Sequence, residues 1–194
     1  MRFNRIIALC KKSNNFIIFT TDDLQWLSNG HAAYPLHGHP VYGEESIFKV
    51  ASMTDKQAEK CIYQNTPMPE RICTDDLTDA EQAVQELSPQ IYFGGGLMLP
   101  VSTSEGLKFI NRAYIRPIED EEDYRIYERN NERGLYFVIK SGMLIRAIVM
   151  PSEIISEELV NSIADIHSQI ETAFAINKEK KKTLEEQMVL EGKE

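Results

Sequence analysis

Leu135-Tyr136-Phe137-Val138-Ile139-Lys140-Ser141-Gly142-Met143-Leu144-Ile145-Arg146-Ala147-Ile148-Val149-Met150-Pro151 holds two apolar, partly β-branched runs divided by a Ser-Gly pair and stopped by a proline. Runs of this length bounded by turn residues predict a β-hairpin rather than a helix. Few polar residues alternate with the apolar ones. A strand with only one covered face would leave half of these side chains in water, so the pattern predicts central strands buried on both faces.

Working outward, Tyr124-Arg125-Ile126-Tyr127 pairs with the first of these strands through the turn Asn130-Asn131-Glu132-Arg133-Gly134. Further upstream, Ile91-Tyr92-Phe93 breaks at Gly94-Gly95-Gly96 and resumes as Leu97-Met98-Leu99-Pro100-Val101, followed by a turn and by Leu107-Lys108-Phe109-Ile110 running on to Tyr114-Ile115-Arg116-Pro117. Outgoing strands ending at Tyr34-Pro35, Arg116-Pro117 and Met150-Pro151 suggest a repeated unit, although proline ends strands simply because it cannot continue the ladder. Near the start, Phe3, Ile6, Ile7 and Cys10 have helical spacing and predict a short helix over 2–10. Phe16-Ile17-Ile18-Phe19, Leu24-Gln25-Trp26-Leu27 and Ala32-Ala33-Tyr34 predict a three-stranded meander. Its second turn, Asn29-Gly30, suits a type I′ geometry in which both residues take positive φ.

Between these β regions, residues 37–89 read as a helical and loop insertion. Short helices are predicted at 44–50 and after the capping box Thr54-Asp55-Lys56-Gln57. A third is predicted from the box Thr78-Asp79-Ala80-Glu81 to a stop before Pro89. Thr66-Pro67-Met68-Pro69 forces extended backbone between them. At the other end, Ser156 is a candidate N-cap, Glu157 and Glu158 suit the positive end of a helix dipole, and Leu159, Ile163, Ile166, Ile170 and Ala173 recur at steps of four and three. Leu159, Ile163, Ile166, Ile170 and Phe174 form the expected packing face. The stripe lasts about two heptads before Asn177 and Lys178-Glu179-Lys180-Lys181-Lys182, so docking on the protein's own sheet is expected rather than a coiled coil. The expected whole is a single α+β domain over 1–177, built of antiparallel hairpin meanders with this helix packed on the sheet, and a charged extension over 178–194.

A length of 194 residues with 42% hydrophobic content suffices for one substantial core. The formal net charge of −9 removes the basic footprint on which phosphate-backbone binding depends, so nucleic acid is not an expected partner. Cys10, Cys61 and Cys73 are three in number and far apart, which fits reduced thiols in a cytoplasm rather than a disulfide framework. The first apolar stretch ends at Cys10-Lys11-Lys12, too short to span a bilayer or to serve as a signal peptide, and no membrane association is expected.

No motif carries a definite chemistry. His31, His37 and His39 lie close in sequence, but no further ligand stands at metal-motif spacing and neither a serine nor a cysteine nucleophile signature accompanies them. Gly94-Gly95-Gly96 lacks both the following helix and the lysine of a phosphate-binding loop, so it reads as a turn. The run Glu119-Asp120-Glu121-Glu122-Asp123 lacks the alternation of a calcium loop and reads as solvated. No catalytic residue, metal ligand or cofactor is assigned. Trp26, Tyr34, Tyr92 and Tyr114 are candidates for a partner-binding aromatic face, with ordinary core packing as the competing reading.

Arg5-Ile6-Ile7 with Leu9-Cys10-Lys11-Lys12, then Gln25-Trp26-Leu27 with Gly30 and Tyr34-Pro35-Leu36, and finally Val138-Ile139-Lys140-Ser141-Gly142-Met143, resemble proteins encoded in prophages of Gram-positive gut bacteria. The resemblance implies a phage setting, in the host cytoplasm or the virion, and carries over no active site. The expectation is a non-enzymatic protein that acts through protein contacts, with itself or other phage proteins, as a virion, assembly or accessory component. The alternative is a small-molecule-binding or enzymatic domain with a pocket near His31, His37 and His39.

Overall fold

A computed structural model describes residues 1–191 apart from 80, 89 and 122, and for 179 and 182–191 it describes the backbone alone. The chain is α+β, with a mostly antiparallel sheet and a C-terminal helix. It divides into two compact units, Met1–Glu153 and Ile154–Glu194.

The first unit opens with α1 (Phe3–Ser13), whose Ile6, Ile7 and Cys10 are buried. Asn14 ends it in the left-handed region at φ 50°, which a short polar side chain tolerates. The meander follows as β1 (Asn15–Thr20), β2 (Gln25–Ser28) and β3 (Ala32–Pro35). At its second turn only Gly30 has positive φ, so the type I′ geometry is not formed. Asn29 is buried instead, and its Oδ1 accepts hydrogen bonds from the backbone N–H groups of His31 and Ala32, building the turn from a side chain.

Then come α2 (Glu44–Val50), α3 (Asp55–Ala58) and β4 (Ile62–Pro67). The capping box at Thr54 forms as expected, with Gln57 Oε1 accepting from the Thr54 N–H. The box at Thr78 does not open a helix. The chain there forms β5 (Glu81–Ala83) and β6 (Gln85–Glu86), while Ala80 and the stop at Pro89 lie outside the described residues. The supposed insertion thus supplies strands to the sheet. β4 pairs in parallel with β1 at one edge, and β5 pairs with a later strand at the opposite edge.

A second sheet is built from β7 (Ile91–Phe93), β8 (Gly96–Thr103) and β9 (Gly106–Asn111), with β6 joining β8. Gly94 and Gly95 both take positive φ between paired Phe93 and Gly96, which is the two-residue hairpin turn that glycine permits. The expected continuation into a strand at Tyr114–Pro117 is replaced by a 3-10 turn at Arg112–Tyr114, started by Asn111 Oδ1 accepting from the Ala113 N–H, and the repeat fails there.

The long hairpins β10 (Tyr124–Asn131), β11 (Gly134–Ser141) and β12 (Leu144–Val149) complete the main sheet in the order β4-β1-β2-β3-β12-β11-β10-β5. β11 and β12 are interior strands, as the sequence predicts, and Phe137, Val138 and Ile139 are fully buried. Successive residues of β11 enter different cores. Leu135, Phe137 and Ile139 meet α1, α2 and the second sheet, while Tyr136 and Val138 join Trp26, Ile72, Ile145 and Ile148 on the other face.

The second unit is α4 (Glu157–Glu191), a helix of 35 residues that runs continuously past Asn177 and through the lysine run. Ser156 Oγ accepts from the Leu159 N–H, the cap expected for it.

Candidate functional site

Among the described residues of the second unit, α4 carries a run of apolar side chains on one face that nothing else in that unit covers. Ile163, Ile166, Ile170 and Phe174 are 49%, 56%, 61% and 73% exposed, and Leu159 is half-buried. Val160 and Ile176 flank them and are exposed as well. Steps of four and three define which side chains share a face, but they do not define what covers that face. Leaving one isoleucine in water forgoes about 1.5–3 kcal/mol of burial, and a contiguous run of them marks an interaction surface.

The aromatic candidates are dispersed. Trp26 is 3% exposed and Tyr34 is fully buried, with its hydroxyl donating to the Tyr114 carbonyl oxygen at 2.7 Å. Both are core side chains and present no binding face. Tyr114 is half-buried and stacks on His31 at 6.1 Å between centroids. Only Tyr92 is open, at 74%, in the hairpin β7–β8 of the second sheet.

The histidines do not converge. His31 lies at the β2–β3 turn, His37 is exposed, and the His39 ring packs 4.4 Å from Phe3 with Nδ1 3.3 Å from the Tyr42 hydroxyl. Among the described residues no group of three His, Cys, Asp or Glu side chains is placed to hold a metal ion. His31 lines a cleft of about 110 Å³ with Phe19, Met68, Arg71, Ile72 and Met150, and His37 and His39 are not part of it. That volume is below the roughly 300–1,000 Å³ of ordinary ligand pockets. The acidic run is not a free loop. Glu119 pairs with Arg112 at 3.0 Å and Asp120 with Arg2 and Arg5, whereas Glu122 lies outside the described residues.

A buried charge cluster escaped the sequence reading. Arg129 and Lys140 project from the same face of β10 and β11 toward Glu81 of β5. The Arg129 guanidinium donates to Glu81 Oε2 at 2.6 Å and 3.0 Å, to the Cys73 carbonyl at 2.9 Å and to the Asp75 carbonyl at 2.8 Å. Lys140 donates to Glu81 Oε1 and to the Asp76 carbonyl, and sits 5.1 Å from the Tyr127 ring centroid. Asp76 Oδ1 accepts from the Ile145 N–H at 2.7 Å, and the Tyr136 hydroxyl accepts from the Cys73 N–H. These bonds strap segment 72–76 across β10–β12 and satisfy both buried cations. Burial pushes the Glu81 carboxyl up, but hydrogen bonds and charge from Lys140 and Arg129 outweigh it and hold the group below its usual value. With every partner internal, the cluster is a structural latch. Its sequence signal was faint: a lone Lys140 inside an apolar strand.

Cys10 is a buried thiol pushed up to about 12, first by burial and then by the neighbouring Cys61, so it is not a nucleophile. Among the described residues no helix is long and apolar enough to cross a membrane. None of the protein-family models, curated proteins and solved structures compared with the chain matches it. The class that fold and site define is an α+β domain continued by a long helix with an apolar stripe on one face.

Proposed function

We propose that this chain is a non-enzymatic protein that works through protein–protein contacts, with α4 as its contact element. The observation that carries the reading is the exposure of Ile163, Ile166, Ile170 and Phe174 on one helix, next to a domain whose buried charged groups are occupied internally. The phage or prophage setting, with a place in the host cytoplasm or the virion as an assembly, structural or accessory component, rests on the likeness of the Arg5–Lys12, Gln25–Leu36 and Val138–Met143 segments.

Mild crosslinking of the native extract is expected to trap the full chain in a higher-mass species that the Ile166→Asp, Ile170→Asp double variant loses. The same species in both would remove α4 from the contact, and no such species in either would end the protein-contact reading. A second reading places a ligand in the cleft at His31 and Arg71, whose volume of about 110 Å³ admits only an ion or a small fragment. A thermal-shift panel of nucleotides and divalent cations separates the two, because a ligand that binds only the folded state raises Tm. A rise in wild type that His31→Ala abolishes would favour the cleft.

A further inference from the structure

We propose that the first unit carries an anion site in the groove between α1 and the turns at 112–119, and that its ligand is a small organic phosphomonoester. Arg5, Ala8, Leu9 and Lys12 share one face of α1, roughly opposite the buried Ile6, Ile7 and Cys10. Ala113, Arg116 and Glu119 form the other wall. Two bonds tie the walls together, from the Arg2 N–H to the Pro117 carbonyl at 2.7 Å and from the Arg5 guanidinium to the Arg116 carbonyl. The groove has a volume of about 420 Å³, within the roughly 300–1,000 Å³ of ordinary ligand pockets.

Charge selects what fits there. The whole chain carries a formal −9, yet this lining holds three cations, Arg5, Lys12 and Arg116, and one carboxylate, Glu119. Glu119 is engaged by Arg112 at 3.0 Å, and Arg5 lies 3.9 Å from Glu119 and 3.7 Å from Asp120. Among the described residues neither Lys12 nor Arg116 pairs with a carboxylate, and both are exposed. Two uncompensated cations match a phosphomonoester, with about two negative charges near neutral pH, better than a monocarboxylate. The guanidinium offers a planar fork to two phosphate oxygens, and the ammonium adds a point charge. The side chains of Ala8, Leu9 and Ala113 offer no hydrogen-bonding group, which suits an apolar body attached to the phosphate.

An NMR titration of the full chain with phenyl phosphate tests this. Amide shifts are expected to concentrate at Ala8, Leu9, Lys12 and Ala113. Inorganic phosphate, which lacks the apolar body, and benzoate, which carries one charge, are each expected to bind several-fold more weakly. Lys12→Ala with Arg116→Ala is expected to weaken phenyl phosphate about tenfold while melting as wild type does, since both residues are exposed. Arg71→Ala, in the cleft at His31, is expected to leave the binding unchanged. No shift at about 10 mM phenyl phosphate, where even a millimolar Kd would show, would overturn the site. Shifts centred elsewhere, or equal binding by wild type and the double variant, would overturn it as well. Benzoate binding as tightly as phenyl phosphate would overturn the phosphate head, and inorganic phosphate binding as tightly would overturn the apolar body.

Discussion

The β11–β12 hairpin and the α4 stripe are the two most regular apolar patterns in the chain, and they meet opposite fates. Phe137, Val138 and Ile139 are sealed on both faces of the sheet, whereas Ile163, Ile166 and Ile170 stay about half or more exposed. The difference lies in the backbone. A strand must find its hydrogen-bond partners on neighbouring strands, so an apolar strand pattern commits the chain to a place within a sheet. A helix satisfies its own backbone and can carry an apolar stripe without any tertiary partner.

The sharpest way to break this comparison is to place one substitution in both regions. Val138→Asp puts an unpaired carboxylate at a fully buried site, and the expected cost of about 4 kcal/mol or more should leave no cooperatively folded protein by circular dichroism. Soluble, cooperatively melting Val138→Asp would mean the core lies elsewhere. Next in size is Arg129→Ala, which strips two charge-assisted bonds from Glu81 and leaves the Cys73 and Asp75 carbonyls without their donor; about 3–5 kcal/mol should be lost in urea denaturation. A loss under about 1 kcal/mol would show that the strap over segment 72–76 is dispensable.

A smaller effect concerns acid. Because Glu81 is held below its unfolded value of about 4.3, its contribution is fully present above that pH and is lost as pH falls through the lower folded value. Urea midpoints measured on acidification below about pH 4.3 should therefore fall more steeply in wild type than in Glu81→Gln. Parallel slopes would exclude Glu81 as the titrating group. The smallest effect belongs to the helix, where Ile166→Asp should change the melting of the first unit by no more than about 0.5 kcal/mol, since the side chain is 56% exposed. Collapse of the first unit in that variant would show the stripe to be core after all.

How much was legible follows the same division. The meander, the hairpins at 124–149, the short helices after Gly43 and Thr54 and the cap at Ser156 were readable because local spacing and turn residues decide them. The box at Thr78 misled because β5 and β6 are held by pairing with β10 and β8, which outweighs a local helix start in strands this short. Trp26 and Tyr34 looked like binding aromatics because an aromatic residue on a strand has the same sequence whether its face is covered or open. The latch was illegible because Glu81, Arg129 and Lys140 are far apart in the chain and meet only when β5, β10 and β11 lie side by side.

Sequence alone determined that this chain is α+β, that the hairpin within 135–149 supplies interior strands and that one face of the last helix is apolar, because periodicity, turn chemistry and caps act over a few residues. Only the tertiary structure decided that 62–67, 81–83 and 85–86 are strands and that three distant charges form an internal latch. Each of those depends on which surfaces meet, and long-range pairing leaves no mark on the local spacing of residues.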